Sequence, residues 1–98
     1  MSICTELAIF KVPKENLARV IELSIMIFAE INVAEQLLLS HQIFQKTDNE
    51  NEICWQLVWV DQAAVDLSTE KWPSYPSTKE LESLVADKIY YGHFNNIG

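Results

Sequence analysis

The chain has 98 residues, 49% of them apolar and 21% charged, and a formal net charge of −7. That length is one domain, residues 1–98, near the lower end of what buries a good core alone, and so apolar a composition excludes intrinsic disorder. The acidic balance, with its basic residues Lys11, Lys14, Arg19, Lys46, Lys71, Lys79 and Lys88 scattered, excludes a nucleic-acid backbone or an anionic lipid surface as partner, because both need clustered cations.

Residues 3–12, "ICTELAIFKV", are rich in β-formers and predict a first strand. Pro13 ends it and suits a helix start, where its missing N–H is not needed. A helix is predicted over 13–31, with a polar stripe of Glu15, Arg19, Glu22 and Glu30. The apolar face opposite holds Leu17, Val20, Ile21, Ser24, Ile25, Phe28 and Ile31. Glu15 and Arg19 have the spacing of an i,i+4 ion pair.

Residues 35–46 and 52–60 predict two strands of an antiparallel hairpin, joined by the polar turn 47–51. Neither alternates cleanly: Leu37, Leu38 and Leu39 are consecutive, as are Leu57 to Val60. A sheet with one wet face would show a period of two, so both faces are expected to be covered. Asp61 is placed to cap a helix beginning "QAAVDLSTEKW". "KWPSYPS", 71–77, breaks that helix at Pro73 and Pro76. A second piece starts with Ser77 and Glu80 in the capping-box arrangement and carries Leu81, Leu84 and Val85 on its apolar face. "KIYYGHF" gives the fourth strand.

This order, βαββαβ, is the ferredoxin-like α+β arrangement. Right-handed crossovers then give a four-stranded antiparallel sheet ordered 4-1-3-2, with the helices on one face. A second copy of the chain is the economical cover for the other face, which matches the apolar excess of so small a domain.

The longest apolar run, Ile25 to Ala29, is far too short for a membrane span. "MSICTE" lacks the basic and apolar regions of a secretory signal, so a cytoplasmic location is expected. Cys4 and Cys54 are then reduced thiols, expected as small buried hydrophobes. They open two neighbouring antiparallel strands, which sets them toward opposite ends of the sheet and too far apart for a disulfide.

At the third strand a family resemblance enters. "WVDQAA", Trp59 to Ala64, resembles the strand-to-helix junction W-x-D/S-x-x-A of the dimeric α+β barrel superfamily, which includes the antibiotic-biosynthesis monooxygenase-like proteins. The element order extends the likeness over essentially the whole chain. "KWPSYPS" and "YYGHF" look like a small uncharacterised branch. The resemblance implies two subunits that pair their sheets into a barrel, and a small molecule held between sheet and helices. The superfamily's best-known enzymes oxidise aromatic polyketides without a cofactor, or degrade haem. The catalytic Asn, Trp and His of the haem-degrading members fall at about Thr5, Ser68 and Thr78. None is retained, which disfavours haem degradation by that route.

Among candidate site residues, His93 comes first as a general base, since imidazole titrates near neutrality. On the fourth strand Ile89, Tyr91, His93 and Asn95 share one face, with Tyr90, Gly92 and Phe94 on the other. The bland alternative is a semi-buried, hydrogen-bonded histidine. His41, on the second strand, is three strand spacings from His93, about 14 Å, so the two cannot share a metal within one chain. No metal site and no cofactor are expected, and no Walker A loop, nucleotide-binding glycine motif or G-x-S-x-G elbow occurs. Trp72, Tyr75 and Tyr91 are expected to wall a site for a flat apolar ligand. The alternative for Trp72 is a plug between helix and sheet. Trp55 and Trp59 are core or interface. Glu6, mid-strand among apolar neighbours, needs a partner such as Tyr90 or Tyr91, or a raised pKa. Gly92 is expected to let a bulky neighbour pack close on the face opposite His93.

Two functional readings follow. One is a homodimer that binds a small apolar or aromatic molecule, with an enzyme of the cofactor-independent monooxygenase type as its extension. The other is a non-catalytic dimeric module whose apolar surface serves association alone.

Overall fold

A computed structural model describes residues 2–98. Strand β1 (Cys4–Lys11) leads through a 3-10 turn at Lys14–Asn16 into helix α1 (Leu17–Ile31). Strands β2 (Leu38–Lys46) and β3 (Asn49–Trp59) form the hairpin. Helix α2 (Gln62–Lys71), a 3-10 turn at Trp72–Ser74 and helix α3 (Thr78–Leu84) precede strand β4 (Asp87–Asn95). The four strands form one antiparallel sheet ordered β2-β3-β1-β4, the predicted 4-1-3-2 read from the other edge.

The strand registers sort every side chain by face. Toward the helices, one row across the sheet is His41, Leu57, Glu6 and His93, and the next is Ile43, Trp55, Ala8 and Tyr91. The opposite face carries rows of Ser40, Val58, Thr5 and Phe94; Gln42, Gln56, Leu7 and Gly92; and Phe44, Cys54, Ile9 and Tyr90. From Cys4 to Phe10 in β1 and from Glu52 to Trp59 in β3 the helix-side residues are buried and their alternates half-buried. The consecutive apolar residues of β3 therefore mean two apolar faces. The shortest extent of the molecule is 17 Å, room for one sheet and one helix layer and no more.

Helix α1 faces the sheet with Val20, Leu23, Ser24, Ile27, Phe28 and Ile31. This corrects the predicted face, since Ile21 and Ile25 are 37% and 53% exposed. Polar anchors set the rotation. Trp55 Nε1 donates to Ser24 Oγ at 3.1 Å, and Ser24 donates to the Val20 carbonyl. On the α3 side Arg19 makes two 2.8 Å bonds to Glu80, and Glu30 accepts from the Ser77 amide and hydroxyl. The same contacts overturn two local expectations. Arg19 pairs with Glu80 and Glu22 rather than with Glu15. Ser77 makes no cap to its own helix, so no capping box forms.

Asp61 does cap α2, accepting from the Ala64 amide at 2.8 Å. Strand β2 starts at Leu38 rather than 35, because the Asn32 side chain binds the Leu37 and Leu38 amides and the Leu38 carbonyl and fixes the preceding loop. The hairpin turn is shorter than predicted, with strand on both sides of Thr47 and Asp48. Its register jumps between Gln45, opposite Ile53, and Lys46, opposite Asn49, so residues 50–52 have no partner on β2, while Glu52 still pairs with Lys11 of β1. Cys4 and Cys54 are free thiols on opposite faces.

Ser24→Ala would leave the Trp55 N–H without a partner inside the core. Denaturant unfolding should show a loss of about 1–3 kcal/mol, the desolvation penalty of an orphaned buried donor.

Candidate functional site

A cavity of about 470 Å³, open at one side, lies between the helix-side face of β1, β3 and β4 and the α2–α3 segment. Its floor is Glu6, Ala8, Trp55, Trp59 and Tyr91; its roof is Val65, Ser68 and Leu81; its lip is Trp72, Pro73, Glu82 and Lys88. The space has a local cause. Ala8 stands in a row with Trp55 and Tyr91, and Ser68 faces it from α2, so two short side chains leave a gap between large ones. The proline break adds to it, ending α2 at Lys71 and turning the chain outward before α3 begins. Trp72 is part of the wall and does not fill the gap. Its indole N–H donates to Glu82, which sets the ring at the rim.

Glu6 is the group that faces this space from the core. It is 4% exposed, and its Oε1 accepts the Trp59 indole N–H at 3.1 Å and lies 3.1 Å from His93 Nε2. Oε2 makes no hydrogen bond to another described residue, yet no fully enclosed side-chain oxygen or nitrogen among the described residues lacks a partner. Oε2 therefore meets the accessible space, which beside Glu6 is the cavity. Burial pushes the Glu6 carboxyl up, while His93 by charge and hydrogen bond, and then the Trp59 N–H, pull it down; the net direction is up. Tyr91 feels the same surroundings: its phenol is pushed up to about 12, first by burial and then by the Glu6 charge. Burial also raises the Cys4 thiol, with Glu6 and Asp66 adding to it.

The four residues singled out from the sequence are not one cluster. Trp72 and Tyr91 line the cavity; His93 does not, and stands behind Glu6 with its ring edge-on to Tyr91 at 4.9 Å. Tyr75 is buried beyond the wall, its hydroxyl 3.2 Å from Ser68 Oγ and its ring edge-on to Trp72 at 6.3 Å. The partners of Glu6 are Trp59 and His93 rather than a tyrosine, because Tyr90 points to the other face and Tyr91 sits one row along. His41 packs against Phe28 at 4.6 Å, near the far edge of the sheet from His93. No group of three metal-binding side chains is gathered among the described residues, and no helix among them is long and apolar enough to cross a membrane. Ala8, Glu82 and Lys88 also line the cavity and were not expected there from the sequence. Ala8 left a trace there, a small residue alternating with Phe10 in an otherwise bulky strand.

Solved structures of the same architecture are similar over nearly their full length. A protein of Bordetella bronchiseptica assigned as an antibiotic biosynthesis monooxygenase is 13% identical, with 99% of each chain covered and a TM-score of 0.77. A variant of SnoaB, a cofactor-independent oxygenase from Streptomyces nogalater, is 18% identical over 100% of this chain and 94% of its own, with a TM-score of 0.73. The chain has the antibiotic-biosynthesis-monooxygenase fold. A similarly assigned protein of Chloroflexus aurantiacus shares that fold at 16% identity, covering 99% and 95% of the two chains, with a TM-score of 0.73. No protein-family model and no curated protein sequence matches the chain.

The Glu6 carboxyl binds its proton more tightly in the folded chain than in the unfolded one. Its contribution to stability is therefore full below the ordinary carboxyl pKa and declines as pH rises through the folded value. Glu6→Gln removes that titration and keeps an acceptor for Trp59. Unfolding midpoints of the two proteins should diverge in favour of Glu6→Gln as the pH is raised from mildly acidic to neutral. Parallel curves would mean that burial does not govern Glu6.

Proposed function

We propose that the chain forms a homodimer and binds a small, flat, apolar or aromatic molecule in the cavity above Glu6. The observation that carries this reading is the half-open space of about 470 Å³, within the range of ligand pockets, with aromatic walls and one buried carboxylate facing in. Trp72 and Tyr91 are its flat walls. His93, kept in the sequence reading as a base, acts through Glu6, the group in a position to exchange a proton with a bound molecule. The likeness to SnoaB makes cofactor-independent oxygenation the reaction to test first.

The homodimer rests on the open sheet face. Leu7, Ile9, Val58, Phe44, Tyr90 and Phe94 lie together there, and the last three are 44–47% exposed. Tyr90 lies flat over Gly92, where a Cβ would stand 2.7 Å from its hydroxyl, and stacks on Phe94 at 6.4 Å. A flat aromatic strip of this kind suits the sheet of a second copy. The same face is what favours the competing reading, a dimeric module that binds nothing else.

Sedimentation at micromolar concentration should show a dimer; a monomer would contradict the argument from the two apolar faces. The neutral fluorescent probe N-phenylnaphthylamine should bind the wild type and be displaced by flat hydrocarbons. Ala8→Phe, which fills the floor of the cavity, should weaken the probe at least tenfold with the dimer intact. Unchanged binding would favour the association-only module. Oxygen uptake with candidate aromatics then tests for a reaction.

A further inference from the structure

This inference rests on the small-molecule reading and concerns what the ligand must carry. An apolar molecule needs nothing from a carboxylate. Keeping one half-satisfied in an aromatic-walled cavity is a burden that a sequence can shed by substituting an apolar residue. Glu6 is nevertheless held in place with care. Its Oε1 is bound by Trp59 from β3 and by His93 from β4, which leaves the carboxylate little freedom to turn. Oε2 is left without a partner among the described residues and is not enclosed, and Glu6 lines the cavity.

We infer that the cavity selects ligands bearing a hydrogen-bond donor, a hydroxyl or a protonated amine, on a flat apolar frame, with the donor seated on Glu6 Oε2. His93 is the positioning residue of this contact. It fixes the carboxylate from behind and favours its ionised, accepting form. The aromatic faces of Trp55, Trp59 and Trp72 receive the apolar frame, and they also tolerate a cationic donor. An anionic ligand group would meet Glu6 as a like charge and be rejected.

The groups facing Glu6 agree with this sign. From β4 come His93 and Tyr91, the latter a neutral phenol held well above neutrality. From β1 comes Cys4, whose thiol is also raised, and from α2 Asp66 acts on Cys4 as a further negative charge. At the lip, Glu82 is engaged by Trp72, and Lys88 also lines the cavity. Among the described residues His93 is the one basic side chain in contact with Glu6, and its Nε2 is already engaged at Oε1.

Four probes of equal frame decide the matter: naphthalene, naphthol, naphthylmethylamine and naphthoate, each competed against N-phenylnaphthylamine on the wild-type dimer at neutral pH. One or both donor probes should bind at least about tenfold tighter than naphthalene, the scale of a hydrogen bond to a charged group, and naphthoate should bind weaker than naphthalene. The two donor probes show whether the natural donor is a hydroxyl or an amine. Glu6→Gln should abolish the penalty on naphthoate. In His93→Ala the donor preference should set in at a higher pH than in the wild type, a shift that a merely structural histidine would not produce. Equal binding of all four probes, or naphthoate binding as well as the donors, overturns the inference and leaves the small-molecule reading standing. Binding of none overturns both.

Discussion

The arrangement hinges on one charge placed where charges are rarely tolerated. Glu6 is the charged residue among the buried core of the helix-side face, and it is held by an indole N–H on one neighbouring strand and an imidazole on the other. Because β1 is central, with β3 on one side and β4 on the other, this contact ties three strands, His93 from the row of Glu6 and Trp59 from the neighbouring row of Cys4. Trp59 and His93 are far apart in sequence and come to one oxygen only through the split βαβ crossover. The helices complete the setting by covering that row without filling it, so one carboxylate oxygen still has somewhere to look.

The two faces of the sheet make different demands on the same strands. Strand β3 alternates buried Ile53, Trp55, Leu57 and Trp59 on the helix side with the half-buried Cys54, Gln56 and Val58 on the open side. The open side gathers aromatics at both edges of the sheet, Phe44 on β2 and Tyr90 and Phe94 on β4. Gly92 belongs to that open face. It has no turn or phosphate to serve; it removes the Cβ that Tyr90 would strike and so lets the ring lie flat. The helix layer shows a related division. Its inner contacts are apolar, but polar bonds from Ser24, Arg19 and Glu30 help to set its rotation, and hydrophobic periodicity does not show their partners.

The fold was legible because its signals are local: a proline after a strand, a 3.6-residue pattern, an Asp at a helix start, two β-rich runs around a polar turn. The misreadings share a cause as well. Helix α1 appeared to face the core with Ile21 and Ile25, and Ser77 appeared to cap α3, because partners more than forty residues away are invisible to a window of a few residues. The candidate site was legible only in pieces. Aromatics near a helix break suggested Trp72, and a mid-strand acid flagged Glu6. The space between them depended on Ala8 and Ser68, which attract no notice as residue types.

By itself, then, the sequence determined the element order, the sheet order and the presence of apolar side chains on both sheet faces, because alternation, breakers and caps act over short range. Only the tertiary structure decided that Glu6 rather than His93 meets the cavity, that His93 stands behind it, and that Tyr75 lies outside the wall. Strand register and helix rotation fix those relations, and both are set by contacts between elements rather than within them.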